Sequence, residues 1–370
     1  MTVRWRYATL CGLVTLCAGP AAAQGLETSV ELTYSHTVFA QGRDDLNNSF
    51  DSISGTLSLG GDLSERWSTN FALYARDMPR SGNDKILELN EGWFQYSADR
   101  FGLTVGVDVV AWPTLEFFQT TDIINQRDFS SVERDQRKIG QPMIRAEYYA
   151  GDVLIEAYVL PRFTQPLFPG TASRFGNPLP VLETAAFDDE DGRNQPAFAT
   201  RVEYSGLNAT IGAFAYRGYQ MTPALLDVVT ANGPALEQTY ATGTSIGLYG
   251  NVLWDSADMI LKGHAVSSTD FLNRVGVKDN YTTWGIGVEK DIPTFLVDGT
   301  SATLFAEYTQ DTRDELSTDP YPDGVAIGLS IDFHDPASSK LGLSLTQDTD
   351  GDDRIWRIEF DRRLNDYVTM

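Results

Sequence analysis

Short segments in which apolar and polar residues alternate recur along almost the whole chain. Between residues 50 and 60, for example, Ile53, Leu57 and Leu59 alternate with serines and threonines. An alternation of period two places the two sets of side chains on opposite faces of a β-strand. Since the polar sets of many segments include charged residues, the pattern predicts strands with one apolar face and one wet face.

The connections between these segments switch regularly between short turns and mostly much longer loops. Short turns at one end and long loops at the other are typical of an all-β, antiparallel up-and-down barrel that spans a membrane. No run of 18 apolar residues follows residue 24, so the sequence predicts no membrane-spanning helix. We predict about sixteen strands, with fourteen and eighteen as alternatives. They are 26–36, 50–60, 66–77, 85–97, 101–110, 140–149, 152–162, 196–205, 207–217, 240–254, 257–267, 280–290, 301–311, 324–333, 339–348 and 353–361.

The strand at 85–97 fits this scheme least well, because Glu91 shares its parity with Leu87, Leu89 and Trp93. With both termini in the periplasm, short sequences rich in glycine and aspartate occupy the periplasmic turns. The longest extracellular loops are predicted at 111–139, 163–195 and 218–239, and a shorter one at 268–279. The turns are Gly61-Asp62, Ala98-Asp99-Arg100, Gly151-Asp152, Ser205-Gly206, Asp255-Ser256 and Asp335-Pro336.

The N-terminus has the features of a secretory signal peptide. Arg4 and Arg6 precede the apolar stretch Leu10 to Cys17, and Ala21-Ala22-Ala23 fits a cleavage site before Gln24. Cleavage after residue 23 leaves a single barrel domain, 24–370, without cysteine, and therefore without disulfides or thiolate metal sites. The alternative, a lipid anchor on Cys17, is disfavoured because the preceding residue is leucine.

The formal net charge of −23 excludes the basic footprint of a nucleic-acid-binding protein. A secreted barrel of this kind is expected in the bacterial outer membrane, with outer-membrane lipid, lipopolysaccharide and the barrel-assembly machinery as its partners. Whether it forms a homo-oligomer is left open by the sequence. No cofactor is predicted.

Loop 111–139 is unusually rich in aromatic and aliphatic residues for a loop exposed to water. Such a loop is expected to bury this surface, and folding into the barrel would narrow the lumen. The alternative is an outer lid that packs on neighbouring loops. The residues assigned to the constriction are Trp112, Glu116, Phe118, Asp122, Arg127 and Asp128.

Residues 102–168 resemble an uncharacterised family of proteobacterial outer-membrane, porin-like barrels. This chain departs from the family at Pro113, where glycine is usual, and at Gln126, where proline is usual. The resemblance implies an outer-membrane barrel for passive uptake, and alginate-export barrels are similar in architecture alone. The matching positions are Gly106, Trp112, Phe117-Phe118, Asp122-Ile123-Ile124-Asn125-Gln126-Arg127-Asp128, Gly140, Tyr148-Tyr149, Gly151-Asp152, Glu156 and Pro161-Arg162-Phe163.

Residues that alternate with the apolar, lipid-facing set along each strand are predicted to face the lumen. Their charges are of both signs with a slight acidic excess, which predicts a slight preference of the lumen for cations. The alternative is that Arg145 with Glu147 and Arg201 with Glu203 form a ladder of salt bridges that fills the lumen. The five basic residues are Arg76, Arg145, Arg201, Lys262 and Arg357, and the seven acidic ones are Glu147, Glu156, Glu203, Glu289, Glu307, Asp332 and Glu359.

These features favour a porin-like channel for passive diffusion of small solutes. A structural or adhesive barrel with a closed lumen is the alternative. An outer-membrane hydrolase is less well supported, because His36, His264 and His334 lack an evident serine and acid partner in sequence. We therefore predict no enzymatic activity.

Two acidic stretches suggest metal binding but have simpler interpretations. Asp348 to Asp353 lacks the spacing of a twelve-residue calcium loop and is predicted to be a tight turn. Loop 163–195 combines prolines from Pro166 to Pro180 with the acidic run Asp188 to Asp191, and is predicted to be a structural cap.

Overall fold

The structure is a computed structural model, and it describes residues 7–17, 25–39, 49–78, 85–112, 114–130, 137–171, 173, 176–319, 323–349, 354–365 and 368–369. Within these residues, no helix is long and apolar enough to cross a bilayer. Pro113 and most of the acidic stretch 348–353 lie outside the described residues.

The described elements are strands and three single-turn 3₁₀ helices, Gly192–Asn194, Asp255–Ala257 and Asp314–Leu316. The strands are β1 (Tyr7–Cys17), β2 (Leu26–Phe39), β3 (Ser49–Ser64), β4 (Trp67–Asp77), β5 (Lys85–Ala98), β6 (Phe101–Asp108), β7 (Gln141–Ala150), β8 (Val153–Leu160), β9 (Val181–Phe187), β10 (Ala197–Ser205), β11 (Ala209–Tyr219), β12 (Ala224–Thr230), β13 (Gly233–Tyr240), β14 (Thr242–Trp254), β15 (Met259–Leu272), β16 (Lys278–Ile292), β17 (Ser301–Asp311), β18 (Gly324–Asp332), β19 (Lys340–Asp348), β20 (Arg354–Asp361), β21 (Arg363–Asn365) and β22 (Val368–Thr369).

Sixteen of the described strands form one antiparallel meander, each pairing with the next along the chain. They run from β2 to β20, and only β9, β12 and β13 are left out of the order. The sixteen correspond to the sixteen predicted segments, with ends that differ by a few residues. The prediction of an all-β, up-and-down transmembrane barrel is confirmed.

The outer face of the meander is apolar. In one row across four neighbouring strands, Val105 is opposite Ile144, Ile144 opposite Val159, and Val159 opposite Phe198. These side chains are between 37% and 50% exposed. A soluble protein rarely exposes such a continuous apolar band, whereas hydrocarbon requires one, and the pairing of each strand with the next satisfies the backbone within it.

The N-terminal segment lies along the first strand of the meander. β1 pairs with β2 from Tyr7 opposite Phe39 to Cys17 opposite Ser29, and β22 pairs with β1 at Leu13 and Val14. This segment belongs to the predicted signal peptide, so its removal would free the edge of β2. The division into residues 1–23 and 24–370 stays a prediction.

A β-bulge explains the irregular parity of the strand at 85–97. Ala72 is opposite Glu91, but Leu73 is opposite Leu89, so Asn90 is the extra residue. The bulge switches the faces, and Leu87 and Leu89 point outward, being 72% and 46% exposed. Glu91 can therefore face the lumen although it shares the parity of the two leucines.

Two predicted connections are wrong in their boundaries. β3 continues through Gly61 and Asp62 to Ser64, so the turn lies at Glu65 and Arg66. β15 and β16 extend beyond the predicted ends and reduce the predicted loop 268–279 to residues 273–277. In both cases the strand continues past turn-forming residues, because the neighbouring strand provides hydrogen-bond partners for their backbone N–H and C=O groups.

Loops 163–195 and 218–239 join in a separate three-stranded sheet. β12 and β13 form a hairpin, and β13 also pairs in parallel with β9. An aromatic cluster of Phe163, Phe187, Tyr219 and Tyr240 packs at its base, with centroid separations of 4.9 to 6.3 Å. The two loops thus form one ordered assembly.

Candidate functional site

The connection between β6 and β7, predicted as loop 111–139, is the third connection on its side of the meander and is called the third loop. Its described residues, 109–112, 114–130 and 137–140, cross the inside of the barrel. Its tip touches inward-facing glycines on β16 and β18: a Cβ added at Gly285 would lie 2.7 Å from Leu115 Cδ1, and one at Gly328 would lie 2.8 Å from Phe117 Cζ. The loop leaves from β6, the fifth strand of the meander, and the strands it reaches lie about halfway around the sixteen. Glycine leaves the space that these side chains fill.

Polar contacts fix the tip in this position. The Glu307 carboxylate on β17 accepts hydrogen bonds from the backbone N–H groups of Glu116, at 2.6 Å, and Phe117, at 2.8 Å. Thr120 is hydrogen-bonded to Nε2 of His264 on β15. Both Glu307 and His264 are buried, so the loop tip supplies the polar partners that these groups need away from water.

Trp112 anchors the start of the loop on the barrel wall. It is 2% exposed and packs against Tyr158 and Phe214, each with a centroid separation of 5.5 Å. The Arg201 guanidinium lies over its ring at 5.2 Å. Ile123 and Ile124 from the same loop join this cluster, so the loop's apolar residues are buried as their composition requires.

Asn125 ties the two ends of the loop together. Its Oδ1 accepts the backbone N–H of Val110 at 2.8 Å, and its Nδ2 donates to the carbonyl oxygens of Asp108 and Ile139, each at 2.9 Å. All three bonds are buried. The amide thus replaces the strand pairing that ends where β6 and β7 separate.

Asp122 is a second buried junction within the loop. Its carboxylate forms ion pairs with Arg127, at 3.1 Å, and with Lys138, and it accepts the backbone N–H of Trp112 at 3.4 Å. Burial lowers the pKa of the Lys138 amine, and the neighbouring Asp122 carboxylate opposes that shift. The loop carries its own counter-charges, which reduces the cost of placing them inside the barrel.

The end of the loop is fixed to β4 and β5 by a four-residue charge network. Asp128 pairs with Arg76 at 2.7 Å and with Arg137 at 3.4 Å, and Arg137 also pairs with Glu88. The Arg137 guanidinium lies 4.0 Å from the centroid of the Tyr74 ring. Two basic and two acidic groups meet here, so the network is neutral.

Loop 163–195 holds the third loop from the side. Phe129 N–H donates to the Leu167 carbonyl at 2.8 Å, Leu167 N–H donates to the carbonyl of Arg127, and the Phe129 and Phe168 rings stack at 5.3 Å. The third loop therefore contacts both the inner wall and a neighbouring long loop.

The charged wall residues named from inward parity are paired with one another. Arg145 contacts Asp108 at 3.4 Å and Glu147 at 3.9 Å. Arg201 contacts Glu156 and Glu203, the latter at 3.5 Å. The pairs of the predicted ladder are thus formed, and each basic group has two acidic neighbours.

Lys262 pairs with Glu289 at 2.5 Å, and its side chain is 17% exposed. Tyr249 donates to Glu203 at 2.6 Å, and Tyr158 donates to Glu156 at 2.8 Å. These bonds extend the paired charges from β7 to β16. Each of the five carboxylates in these pairs contacts a basic side chain, although the wall holds five acidic groups and only three basic ones.

An open space of about 350 Å³ remains on the other side of the lumen. It lies between the loop residue Arg137 and the inward faces of β2 to β5. The lining is almost entirely polar, and consists of Glu31, Thr33, Ser54, Gly55, Thr56, Ser58, Asn70, Ala72, Tyr74, Asn90, Glu91 and Arg137.

The structure brings several of the named residues together in pairs: Arg76 with Asp128, Asp122 with Arg127, Arg145 with Glu147, and Arg201 with Glu203. Glu116 and Phe118 lie at the loop tip, while Lys262 belongs to the wall. The sequence did not indicate that Arg137 lines an open space along β2 to β5, or that Glu307 and His264 anchor the loop. The one available signal for where the loop packs was the presence of glycines, such as Gly285, at strand positions that face the lumen.

The histidines have local partners. His36 contacts Asp51 at 2.8 Å near the end of β2, and both side chains are exposed. His334 contacts Ser301 at 2.7 Å and Asp332 at 3.3 Å, but it is 56% exposed in a turn. Among the described residues, no group of three or more His, Cys, Asp or Glu side chains is arranged to hold a metal ion.

No protein-family model matches the chain, and no curated protein is similar to it in sequence. Solved structures with a similar fold include the outer membrane protein OmpT of Vibrio cholerae, with a TM-score of 0.48 and 8% identity over 99% of this chain and 97% of that chain. The outer membrane channel DcaP of Acinetobacter baumannii has a TM-score of 0.46 and 10% identity, over 99% and 96%. An anion-selective porin from Comamonas acidovorans has a TM-score of 0.44 and 11% identity, over 98% and 97%. The resemblance to the uncharacterised barrel family and to alginate-export barrels stays a prediction.

Proposed function

We propose that this protein is a porin-like channel of the bacterial outer membrane, which lets small hydrophilic solutes diffuse passively. One observation supports this most strongly. The described residues of the third loop lie inside the barrel, while a polar space of about 350 Å³ remains beside them. A loop that narrows a water-filled barrel without filling it is the arrangement a size-limiting pore requires.

Single-channel recording in planar bilayers tests this proposal. The mature protein is expected to conduct, and deletion of residues 114–130 is expected to raise the conductance at least about twofold because the wider lumen holds more ions. Removal of residues 228–233, the tip of the β12–β13 hairpin, is the control and should leave the conductance unchanged. Equal conductance for the protein and its 114–130 deletion would contradict the constriction.

The sheet formed by β9, β12 and β13 favours a second candidate, a structural or adhesive barrel that presents its loops at the cell surface. That sheet joins two long loops into one rigid surface, as a binding platform would need. Liposome swelling separates the two functions. A lumen sealed to small sugars and salts would favour the adhesive barrel.

We propose no enzymatic role. His264 is occupied by its bond to Thr120, and the Ser301, His334 and Asp332 side chains form an exposed group in a turn rather than in a cleft. Hydrolysis of a nitrophenyl ester that is lost on Ser301→Ala would contradict this proposal.

The apolar outer face supports contact with lipid and, in the outer leaflet, with lipopolysaccharide. A barrel with this strand order would depend on the barrel-assembly machinery for insertion. Association into a homo-oligomer is also proposed. Cross-linking of the purified protein in lipid vesicles tests it.

A further inference from the structure

The open space in the lumen is lined by carboxylates that have no basic partner among the described residues, whereas each carboxylate of the paired wall contacts a basic side chain. It is bounded by β2 to β5 on one side and by Arg137 of the third loop on the other. Hydroxyl and amide groups make up most of its surface. Its ionisable groups are Glu31, Glu91, Arg137 and Tyr74.

The positive charge of Arg137 is already balanced. Arg137 shares the carboxylate of Asp128 with Arg76 and has a second partner in Glu88. Since the formal charges of these four residues sum to zero, Arg137 offers hydrogen-bond donors to the open space, which is called the passage below, without adding a net positive charge. An anion in the passage would have to compete with two carboxylates for the same guanidinium.

The two glutamates lack such balance. Glu91 accepts hydrogen bonds from the neutral donors Asn70, at 2.8 Å, and Trp93, at 3.2 Å, which hold the carboxylate without cancelling its charge. Glu31 projects from β2 into the same space, and no ion pair joins it to a basic residue in the described part of the chain. Among the described residues that line this space, two carboxylates are therefore left without a basic partner.

The other inward charges in the described part of the barrel do not offset these two carboxylates. On the far wall, Arg145 and Arg201 each lie between two carboxylates, and Lys262 is matched by Glu289. On β20, Arg357 contacts Glu359 at 3.5 Å. Carboxylates without a basic partner that line a narrow, water-filled space raise the local cation concentration.

We infer that Glu31 and Glu91 form the selectivity region of the channel, and that it passes small cations and amine-bearing hydrophilic solutes in preference to anions. This inference rests on the proposed channel function. It places selectivity on the β2–β5 wall beside the end of the loop, and not on the charged ladder of β7 to β16, where each carboxylate contacts a basic side chain. The hydroxyl and amide groups around the two carboxylates suit solutes that shed part of their hydration shell.

Reversal potentials across a tenfold KCl gradient test the inference. The wild-type protein should favour K⁺, and E31Q/E91Q should lower the ratio of K⁺ to Cl⁻ permeability at least about threefold, since both uncompensated charges are gone. D227N removes one negative charge from the exposed face of the β12 hairpin and is the control, with an unchanged ratio. E31Q alone should give an intermediate ratio, and it leaves the hydrogen bonds of Glu91 intact if the double variant folds poorly.

The outcomes separate the two proposals. Conductance with no cation preference, or with a preference that E31Q and E31Q/E91Q leave unchanged, overturns the selectivity assignment while the channel stands. No conductance from the folded wild-type protein overturns the channel itself. A ratio that falls in D227N as much as in E31Q would also contradict the assignment, because it would show that diffuse surface charge sets the selectivity.

Discussion

Arg76 on β4 and Asp128 in the third loop form a buried ion pair, with 2.7 Å between Nη1 and Oδ2. Their side chains are 5% and 0% exposed. The pair joins the end of the loop to the barrel wall, while the tip of the loop is held by β16 to β18 on the opposite side. The loop is therefore fixed at both sides of the lumen.

Breaking this pair should destabilise the barrel strongly. Arg76→Ala leaves a buried carboxylate with less compensation, and we expect the free energy of unfolding to fall by about 3 kcal/mol. Urea unfolding of the protein in lipid vesicles measures this. Lys85→Ala is a matched control on the same strand pair, since Lys85 meets Asp77 at 3.5 Å with 80% and 49% exposure. We expect it to cost less than about 1 kcal/mol. Equal losses in the two variants would contradict the anchoring role.

The Glu307 carboxylate should contribute to stability, because it accepts hydrogen bonds from two backbone N–H groups of the loop. Glu307→Ala leaves the N–H groups of Glu116 and Phe117 without their acceptor, at a cost of about 1–3 kcal/mol. Glu307→Gln keeps an acceptor oxygen and should lose less. In bilayer recordings the alanine variant should show larger current fluctuations, because the loop tip is less firmly held. Quiet currents and unchanged stability in Glu307→Ala would show that the tip is fixed by other contacts.

Gly285 should be sensitive to size, because the tip of the loop occupies the space where a side chain would lie. Gly285→Ala places a Cβ 2.7 Å from Leu115 Cδ1 and 2.9 Å from His264 Cε1, and should destabilise the protein by about 1–3 kcal/mol. Leu115→Ala should relieve part of that cost in the double variant. Gly263→Ala is the control on the adjacent strand, where the nearest atom lies at 3.4 Å. Strictly additive effects of Gly285→Ala and Leu115→Ala would contradict their contact.

The predicted signal peptide can be tested by counting thiols. Both cysteines, Cys11 and Cys17, lie before the predicted cleavage site at Gln24. The protein isolated from outer membranes and denatured should therefore take up no maleimide. Two labels per chain would show that the segment is retained and would contradict cleavage before Gln24.

Much of the fold could be predicted because lipid on one face of each strand and water on the other require apolar and polar residues to alternate along the sequence. Each strand from β2 to β20 in the meander shows the period-two pattern, and where the pattern is interrupted, near Glu91, the backbone contains a bulge. The strands of the long loops, β9, β12 and β13, were not predicted. They pair with one another outside the lipid-facing meander, so no hydrocarbon imposes an alternation on them.

The site was less predictable because its contacts join distant parts of the chain. The aromatic composition of the third loop indicated that the loop is buried. No local sequence pattern indicated that Glu307, 191 residues from Glu116, would accept a hydrogen bond from the Glu116 N–H group. Residues chosen by parity, such as Arg145 and Arg201, do face inward, yet their charges are used in pairs. The open space is lined instead by Glu31 and Glu91, and their proposed importance depends on where the loop leaves room.

The position of the third loop is tested most directly by a disulfide between its tip and the far wall. The mature chain is expected to lack cysteine, so L115C/G285C carries the only pair of thiols. We predict that mild oxidation of the folded protein cross-links them, because a Cβ at position 285 lies 2.7 Å from Leu115 Cδ1 and the two side chains therefore meet inside the barrel. If both thiols stay free and the one introduced in place of Leu115 reacts with a bulky, membrane-impermeant maleimide from the outside, the loop is an external lid and the constriction account is contradicted.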